Sequence, residues 1–450
     1  MSDTDAGGGP FESILTAVQE RDIYMVLATA LLIYLLFSVV LFGRTFGSAL
    51  GALEGVTFFM LVYAITALAL NLQWGYAGLF NIGVAGFMAV GVYTMAIATR
   101  APDASPAGLG LPIWAGVLAG MLMAALVGLL AALPALRLRA DYLAIVTLGL
   151  SEIIRYTLLS TAVDDWLQAN TAWLVALFGG DGEAGVGTNG GSGLSITTGP
   201  EDVLDWLFYV GGDPTRGENA FGAAVFELGR QLGLRTTLVA DIAYLFVLAT
   251  ALAVIYLFLY RVGNSPFGRV LKAIREDELV ANSVGKNTDL FKIKVFMLGC
   301  ALMGLAGILW QGSQDFVSPT SFLPIVTFYV FVAVIIGGSG SNTGSVIGGF
   351  LFASLLFEAP RRVGGRLRDT IPVADTPNTF AEAVTGPLEF AAYLTANVGS
   401  IQFILLGVVL VLIIQKRPDG VLGHRSEPAA AVDLTGRTTN GDRATDGGSR

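Results

Sequence analysis

Seven stretches of this chain carry no Asp, Glu, Lys or Arg: Ile23–Phe42, Gly55–Thr99, Ala104–Leu136, Ile242–Tyr260, Val295–Gln314, Phe316–Phe357 and Val398–Gln415. About 20 apolar residues carry an α-helix across the hydrocarbon core of a bilayer. Gly55–Thr99 and Phe316–Phe357 are long enough for two crossings each. A composition of 54% hydrophobic and 14% charged residues leaves too little charge to wet a soluble surface of this size. The expected fold is therefore all-α, a polytopic transmembrane bundle of about 8–10 spans. The 57 glycines suit close approach of helix backbones in lipid.

Run length and charge-free windows predict helices at 23–42, 52–72, 78–99, 112–134, 141–160, 238–260, 292–312, 322–337, 343–358 and 398–415. Residues 1–22 are then a cytoplasmic N-terminal segment, without the basic flank of a signal peptide, so the first apolar run stays as a membrane helix. Residues 23–160 form the first transmembrane group and 236–358 the second, with a coupling loop at 261–291. The last span is 398–415. Residues 416–450 are a cytoplasmic tail expected to be disordered. Two polar segments fall between spans. Residues 161–235 hold ten acidic residues against three basic ones and read as an extracytoplasmic insertion. Its charge fits either a protein of a salt-loving microbe or a merely soluble loop. Residues 359–397 form a second polar insertion.

Lys and Arg near helix ends orient the bundle. Seven basic residues lie in 261–294, Arg137 and Arg139 follow the fourth helix, and Lys416 and Arg417 follow the last. All three places come out cytoplasmic if every helix crosses. Arg44, Arg100 and the group Arg361, Arg362, Arg366 and Arg368 fall on the other side, which raises the alternative of a re-entrant Gly-rich segment. Cys300 is the single cysteine and His424 the single histidine, so no intrachain disulfide, His/Cys metal cluster or His-based catalysis is expected.

Two Gly-interrupted membrane segments stand out. Gly75, Gly78, Gly83 and Gly86 punctuate the first, and Gly337, Gly338, Gly340 and Gly344 the second. Broken helices in matching halves line transport paths in many carriers; tight packing through small residues is the plainer reading for most of these glycines. Asn71, Gln73 and Asn81 are the stronger path candidates, because amides in hydrocarbon need partners. Glu152 and Arg155 can pair at i, i+3, either at a functional site or near an interface.

Between two membrane helices runs Ser265–Gly285, in which Val270, Leu271, Ile274, Leu279 and Val284 recur at roughly helical spacing among charges. Gly285 closes the segment as a C′ glycine would. Spacing alone fits both a helix lying on lipid and a docking helix for a soluble partner. Glu278-Leu-Val-Ala281 with Gly285 four residues on resembles the EAA-type coupling motif of ABC importer permeases. Asn71-Leu-Gln-Trp-Gly-Tyr-Ala-Gly78 with its continuation to Tyr93, Arg139–Gly149 followed by Glu152 and Arg155, Gly337–Gly344, and Arg417–Gly423 likewise resemble branched-chain amino-acid permeases of the LivM type.

The resemblance implies an inner-membrane permease that translocates branched-chain amino acids. It implies a second, LivH-like permease, two ATP-binding subunits, and an extracytoplasmic solute-binding protein as partners. It also implies that Arg275, Glu276, Glu278, Leu279, Ala281 and Gly285 couple to the ATPases, and that Tyr142, Thr147 and Glu152 join the path. The long insertions depart from the family's pattern and leave docking of the binding protein open. Urea or short amides, carried by related permeases, or another amino acid are the alternative substrates. A secondary transporter would need ionisable groups at mid-membrane, and the apolar blocks hold almost none. Gly285-Lys286 is followed by Asn287 and lacks the phosphate-loop pattern, so no cofactor is expected in this chain and ATP would be used by the partner subunits. No basic face suggests nucleic acid.

Overall fold

The computed structural model describes residues 20–41, 43–135, 140–370 and 377–422. The N-terminal segment up to residue 19, Arg137, Arg139, and the tail from Gly423 with His424 lie outside these residues, as do the expectations placed on them. The helices that carry the fold are α1 (Glu20–Val40), α2 (Phe46–Asn71), α3 (Val84–Thr99), α4 (Ile113–Ala135), α5 (Ala140–Leu159), α6 (Thr236–Asn264), α7 (Pro266–Glu276), α8 (Glu278–Ser283), α9 (Thr288–Gln311), α10 (Pro324–Gly337), α11 (Asn342–Leu351), α12 (Ala359–Thr370) and α13 (Val398–Lys416). Among the described residues, eight helices are long and apolar enough to cross a membrane, and α3 and α10 are shorter apolar helices. The chain is a multi-pass α-helical membrane bundle.

All ten expected helices are present, and the boundaries that shift are informative. The helix expected at 78–99 starts only at Val84, and the one expected at 322–337 starts at Pro324. At 1.5 Å per residue these helices reach about 24 and 21 Å, short of a ~30 Å core. Each is extended at one end by non-helical backbone. The span expected to end at 358 continues instead through a π-helical turn, Phe352–Glu358, into α12, so the polar segment 359–397 begins as helix. The acidic segment 161–235 is likewise ordered into short helices, the longest being Ala220–Gln231, whose N-cap Asn219 accepts from Gly222 N.

Two sub-bundles form the core. In one, α3, α4 and α9 pack mutually; in the other, α2 packs against α6, α10 and α11. The first is built on glycine: a Cβ on Gly304 would lie 2.7 Å from Ala124 Cβ and within 3.5 Å of Gly91, so the three backbones meet closely. Helices α1 and α13 lie outside, with outward rows such as Leu27, Leu31 and Leu35, or Ile404, Val408 and Val411.

The bundle has two distinct ends. At one, the basic segment 261–294 meets the C-terminal end of α2, the loop between α10 and α11, and residues 421–422. At the other lie the acidic insertion and residues 312–323, joined by a two-residue ladder of β1 (Leu194–Ser195) with β2 (Phe316–Val317). Three of the arginines that break the charge rule at this insertion end are engaged by the fold. Arg100 is buried and donates to Ser195 O and Oγ, both at 2.8 Å, and to Pro106 O at 2.9 Å. Arg362 donates to Glu358 Oε2 at 2.8 Å, and Arg366 to Val40 O. A buried or paired arginine is anchored by its partners, so loop charge alone misreads it.

Candidate functional site

The two helix breaks meet at the basic end. After α2 the backbone widens into a π-helical turn, Leu72–Tyr76, and runs non-helically to Gly83 before α3 begins. After α10 the chain turns through Gly338 and Gly340, both at positive φ (103° and 88°), and restarts as α11. Glycine adopts that backbone without strain. Helix ends orphan several N–H and C=O groups, and a buried orphan costs about 1–3 kcal/mol. The residues around the breaks are arranged to pair them.

Asn71 is fully buried; its Nδ2 donates to Asn342 Oδ1 (3.2 Å) while its Oδ1 accepts from Gly340 N (2.7 Å), so one amide rivets both breaks. Gln73 donates to Phe296 O at 2.8 Å and accepts from Asn81 Nδ2 at 2.8 Å. Asn81 in turn accepts from Gly83 N at 2.8 Å. Thr147 Oγ1 accepts from Ile82 N (2.9 Å), and Thr327 Oγ1 from Ala85 N (3.0 Å), supplying the start of α3 from α5 and α10. The orphaned carbonyls of α10 are met by the C-terminal segment: Val421 N donates to Ile336 O at 2.8 Å and Leu422 N to Gly337 O at 3.0 Å. Trp74, Phe80 and Phe331 brace the outside, with ring centroids 4.8–5.5 Å apart.

The candidate residues sort as follows. Asn71, Gln73, Asn81 and Thr147 are brought to the breaks, their polar side-chain groups tied to backbone, to one another or, for Asn71 Nδ2, to Asn342. Gly83 and Gly86 pack on α5, where a Cβ would lie 2.7 Å from Thr147 O and from Ser151 Cα respectively. Gly337 and Gly344 pack on each other across the second break, and Gly75 sits against Gly340 N, 2.5 Å from where a Cβ would be. Gly78 lies under Arg275, and Gly338 touches Gly420. Tyr142 stands apart, exposed on α5. Glu152 pairs with Arg155 (2.6 Å) on the same helix, and Arg155 also lies over the Tyr156 ring at 4.3 Å.

The coupling segment differs from the single amphipathic helix expected. Asp277 interrupts it: its backbone is extended, and its side chain accepts from Leu279 N and Val280 N to start α8. Gly285, at φ 81°, and Lys286 then close α8 onto Asn282 O and Ala281 O. The apolar positions divide between the two helices. Leu271 and Ile274 of α7 are buried, whereas Leu279 (80% exposed), Val280 and Val284 (68%) point out. Glu278 is turned inward, paired with Lys292 and bonded by Thr288 Oγ1 at 3.2 Å. Ala281 is buried, Glu276 exposed and paired with Arg275 at 2.6 Å, and Arg275 itself reaches Gly75 O at 2.6 Å.

Sequence reasoning missed Thr327, Asn342 and residues 421–422 as parts of this site. A lone threonine in an apolar run and an asparagine after a Gly-rich turn were signals available for the first two. The third lies in the Arg417–Gly423 motif, but nothing in the motif points to α10, because residues 421–422 act through backbone N–H groups.

A family model described as a branched-chain amino acid transport system permease component matches residues 52–356. The chain belongs to this family. Its relatives include the LivM permease protein of the high-affinity branched-chain amino acid transport system of Escherichia coli K12, 33% identical over 292 residues, 65% of this chain and 60% of that protein. A probable LivM permease of Methanocaldococcus jannaschii is 24% identical over 396 residues, 81% of this chain and 91% of the relative. A probable LivH permease of the same archaeon is 33% identical over 106 residues, 24% of this chain. The chain thus spans about 60% of the length of the enterobacterial LivM relatives. No solved structure matches. The family match ends at residue 356, so α12, the segment to 397, and α13 lie outside it, while the whole acidic insertion, 161–235, falls inside.

Proposed function

We propose that this chain is one permease subunit of an ABC importer for branched-chain amino acids, driven by separate ATPase subunits that dock on Ser265–Gly285. The observation that carries the reading is the division of the coupling segment. α7 turns its apolar side chains into the bundle, whereas the six-residue α8 and its C-cap Val284 hold Leu279, Val280 and Val284 out in a basic, polar surround. Three adjacent outward apolar side chains on a short, doubly capped helix fit a partner protein's pocket. A lipid-bound helix would instead bury one continuous face.

In this reading the basic end is cytoplasmic and the acidic insertion meets a solute-binding protein outside. The chain binds no nucleotide; its partners use the ATP. The translocation path follows the open face of α5, where Tyr142 and Ile153 are exposed and Glu152 is partly open. The outward rows of α1 and α13 suit lipid tails, but a partly open carboxylate on a membrane helix needs water or protein beside it. A second, LivH-like permease facing α5 supplies both.

The test is uptake of labelled leucine by proteoliposomes holding the complete complex, with unlabelled leucine, isoleucine or urea as competitors. The expected result is ATP-dependent uptake blocked by isoleucine and not by urea. Leu279→Asp should abolish co-purification of the ATPases while the permease still inserts. Urea-blocked uptake would move the substrate to the short amides, and uptake by the purified chain alone would overturn the importer reading.

A further inference from the structure

Arg275 ends α7, the helix from which the docking segment hangs. Its side chain points away from the docking surface, into the bundle, and is only 20% exposed. Nη1 donates to Gly75 O at 2.6 Å, a carbonyl within the widened turn that ends the α2 span. Its aliphatic stem crosses Gly78, where a Cβ would stand 3.2 Å from Arg275 Cγ. The same Nη1 lies 3.0 Å from where a Cβ on Gly340 would stand, in the turn between α10 and α11. One guanidinium therefore rests on both helix breaks, and Asn71 ties those breaks to each other through Gly340 N. At its other edge, Nη2 is held by Glu276 at 2.6 Å.

The helix behind it is stiffly mounted. Ser265 caps α7 by accepting from Gly268 N, Leu271 and Ile274 are buried, and Phe267 stacks on Phe291 of α9 at 5.3 Å between centroids. A displacement of α8 reaches α7 across the single extended residue Asp277. It then reaches the breaks as movement of the Arg275 guanidinium. Arginine suits this role: its planar fork holds several acceptors in fixed geometry, whereas a lysine offers a single ammonium.

We propose that Arg275 is the strut through which the docking segment moves both helix breaks together, holding the basic end of the path shut until the ATPases shift α7. The proposal rests on the importer reading above and names the positioning residue that reading requires. Arg275 touches neither nucleotide nor solute; it acts through Gly75 and Gly340.

The experiment uses the complete complex in proteoliposomes, with Arg275→Ala and Arg275→Lys compared for ATPase co-purification, ATP hydrolysis and uptake. In parallel, Ser339→Cys in a Cys300→Ser background reports access to the turn between α10 and α11 by maleimide labelling. For Arg275→Ala, hydrolysis should stay within about twofold while uptake falls at least about tenfold, so that ATP spent per solute rises. Arg275→Lys should recover part of that coupling. Ser339→Cys should label without nucleotide when Arg275 is alanine, and only with ATP when it is arginine. If Arg275→Ala does not assemble, Arg275→Gln, which keeps the stem over Gly78, takes its place with the same expectations. Unchanged coupling and labelling overturn the strut. So does loss of ATPase co-purification, which would make Arg275 part of the docking surface. If the native complex takes up no amino acid yet Ser339→Cys labelling still responds to ATP and to Arg275→Ala, the substrate reading fails and the strut stands.

Discussion

The two ends of the bundle are held by different kinds of bond. At the basic end the partners are far apart in sequence: Asn71 with Asn342 is separated by 271 residues and Arg275 with Gly75 by 200. At the insertion end most polar bonds are short-range. Asp202 accepts from Gly199 N, Asp213 from Thr215 N, and Arg230 donates to Glu227, at separations of 2–3 residues. The long links there are few and lie at its edge: Arg100 to Ser195, Thr99 to Thr198 O, and the β1–β2 ladder. Long-range bonds make the basic end one connected unit, so a change at any member reaches the others. Short-range bonds leave the insertion as local turns and caps whose changes stay local. On the importer reading proposed above, the first arrangement suits the end where force would enter and the second the end where a soluble partner would be met.

The largest effect that tests this contrast belongs to Gly75→Ala. The new Cβ would stand 2.5 Å from Gly340 N and closer still to the Asn71 carboxamide, displacing the amide that rivets both breaks. Overpacking of this kind costs about 1–3 kcal/mol. The Gly340 N–H and the Asn342 amide, left unpaired, add about 1 kcal/mol or more each. Uptake should be lost and the temperature of inactivation in detergent should fall by several degrees. Retention of both would show that the two breaks are not one unit.

A smaller effect is expected from Glu278→Gln. Glu278 faces Lys292, whose side chain is 10% exposed, while the Glu278 side chain is 39% exposed and partly screened by solvent. Glutamine keeps an acceptor for Lys292 and for Thr288, so the loss should stay below about 1 kcal/mol. Uptake should drop a few-fold with ATPase co-purification unchanged. Loss of co-purification would place Glu278 on the docking surface after all, and would shift the coupling role from geometry to direct contact.

At the insertion end, burial together with the carboxylates of Asp202, Asp315 and Asp205 pushes Glu201 up to about 8 from its ordinary 4.5. A carboxyl group raised on folding binds its proton more tightly in the folded state. Its contribution to local stability is therefore full below pH 4.5, declines between 4.5 and about 8, and is gone above that. Burial raises Asp202 in the same direction. Hydrogen exchange at residues 194–205 should accelerate as pH rises through that window, after correction for the intrinsic rate. Glu201→Gln should flatten the profile, leaving exchange around Asn71 and Gly340 unchanged. A parallel change at the basic end would show that the two ends are coupled more tightly than their bonds suggest.

How much of this was legible in the sequence follows from the same division. The spans were legible because a bilayer demands length and apolarity, both local properties. The breaks were legible as glycine-rich interruptions, and Asn71, Gln73 and Asn81 as amides that must find partners. The partners themselves were not: nothing near Asn71 in the chain points to Gly340 or Asn342. Glu278 read as a coupling residue because the motif places it in the docking segment. Only packing shows that Lys292, on the next helix, turns it inward. The extension of the eleventh helix into α12 was hidden because Arg361, Arg362 and Arg366 look unable to continue a span, yet Glu358 and Val40 O receive two of them.

Gly149→Ala makes the smallest change and sets the sign of the comparison. A Cβ at Gly149 meets nothing within 4 Å, on the open face of α5 between the exposed Tyr142 and Ile153. With no clash to offset it, the gain in helix propensity should govern, stabilising the isolated chain by up to about 1 kcal/mol. Gly75→Ala adds the same methyl group and should destabilise, because the space at the break is already filled by Asn71 and Gly340. If Gly149→Ala instead impairs uptake while raising the stability of the isolated chain, something outside this chain must lie against Gly149. That split between the lone subunit and the assembled complex would mark the open face of α5 as the side where the second permease packs.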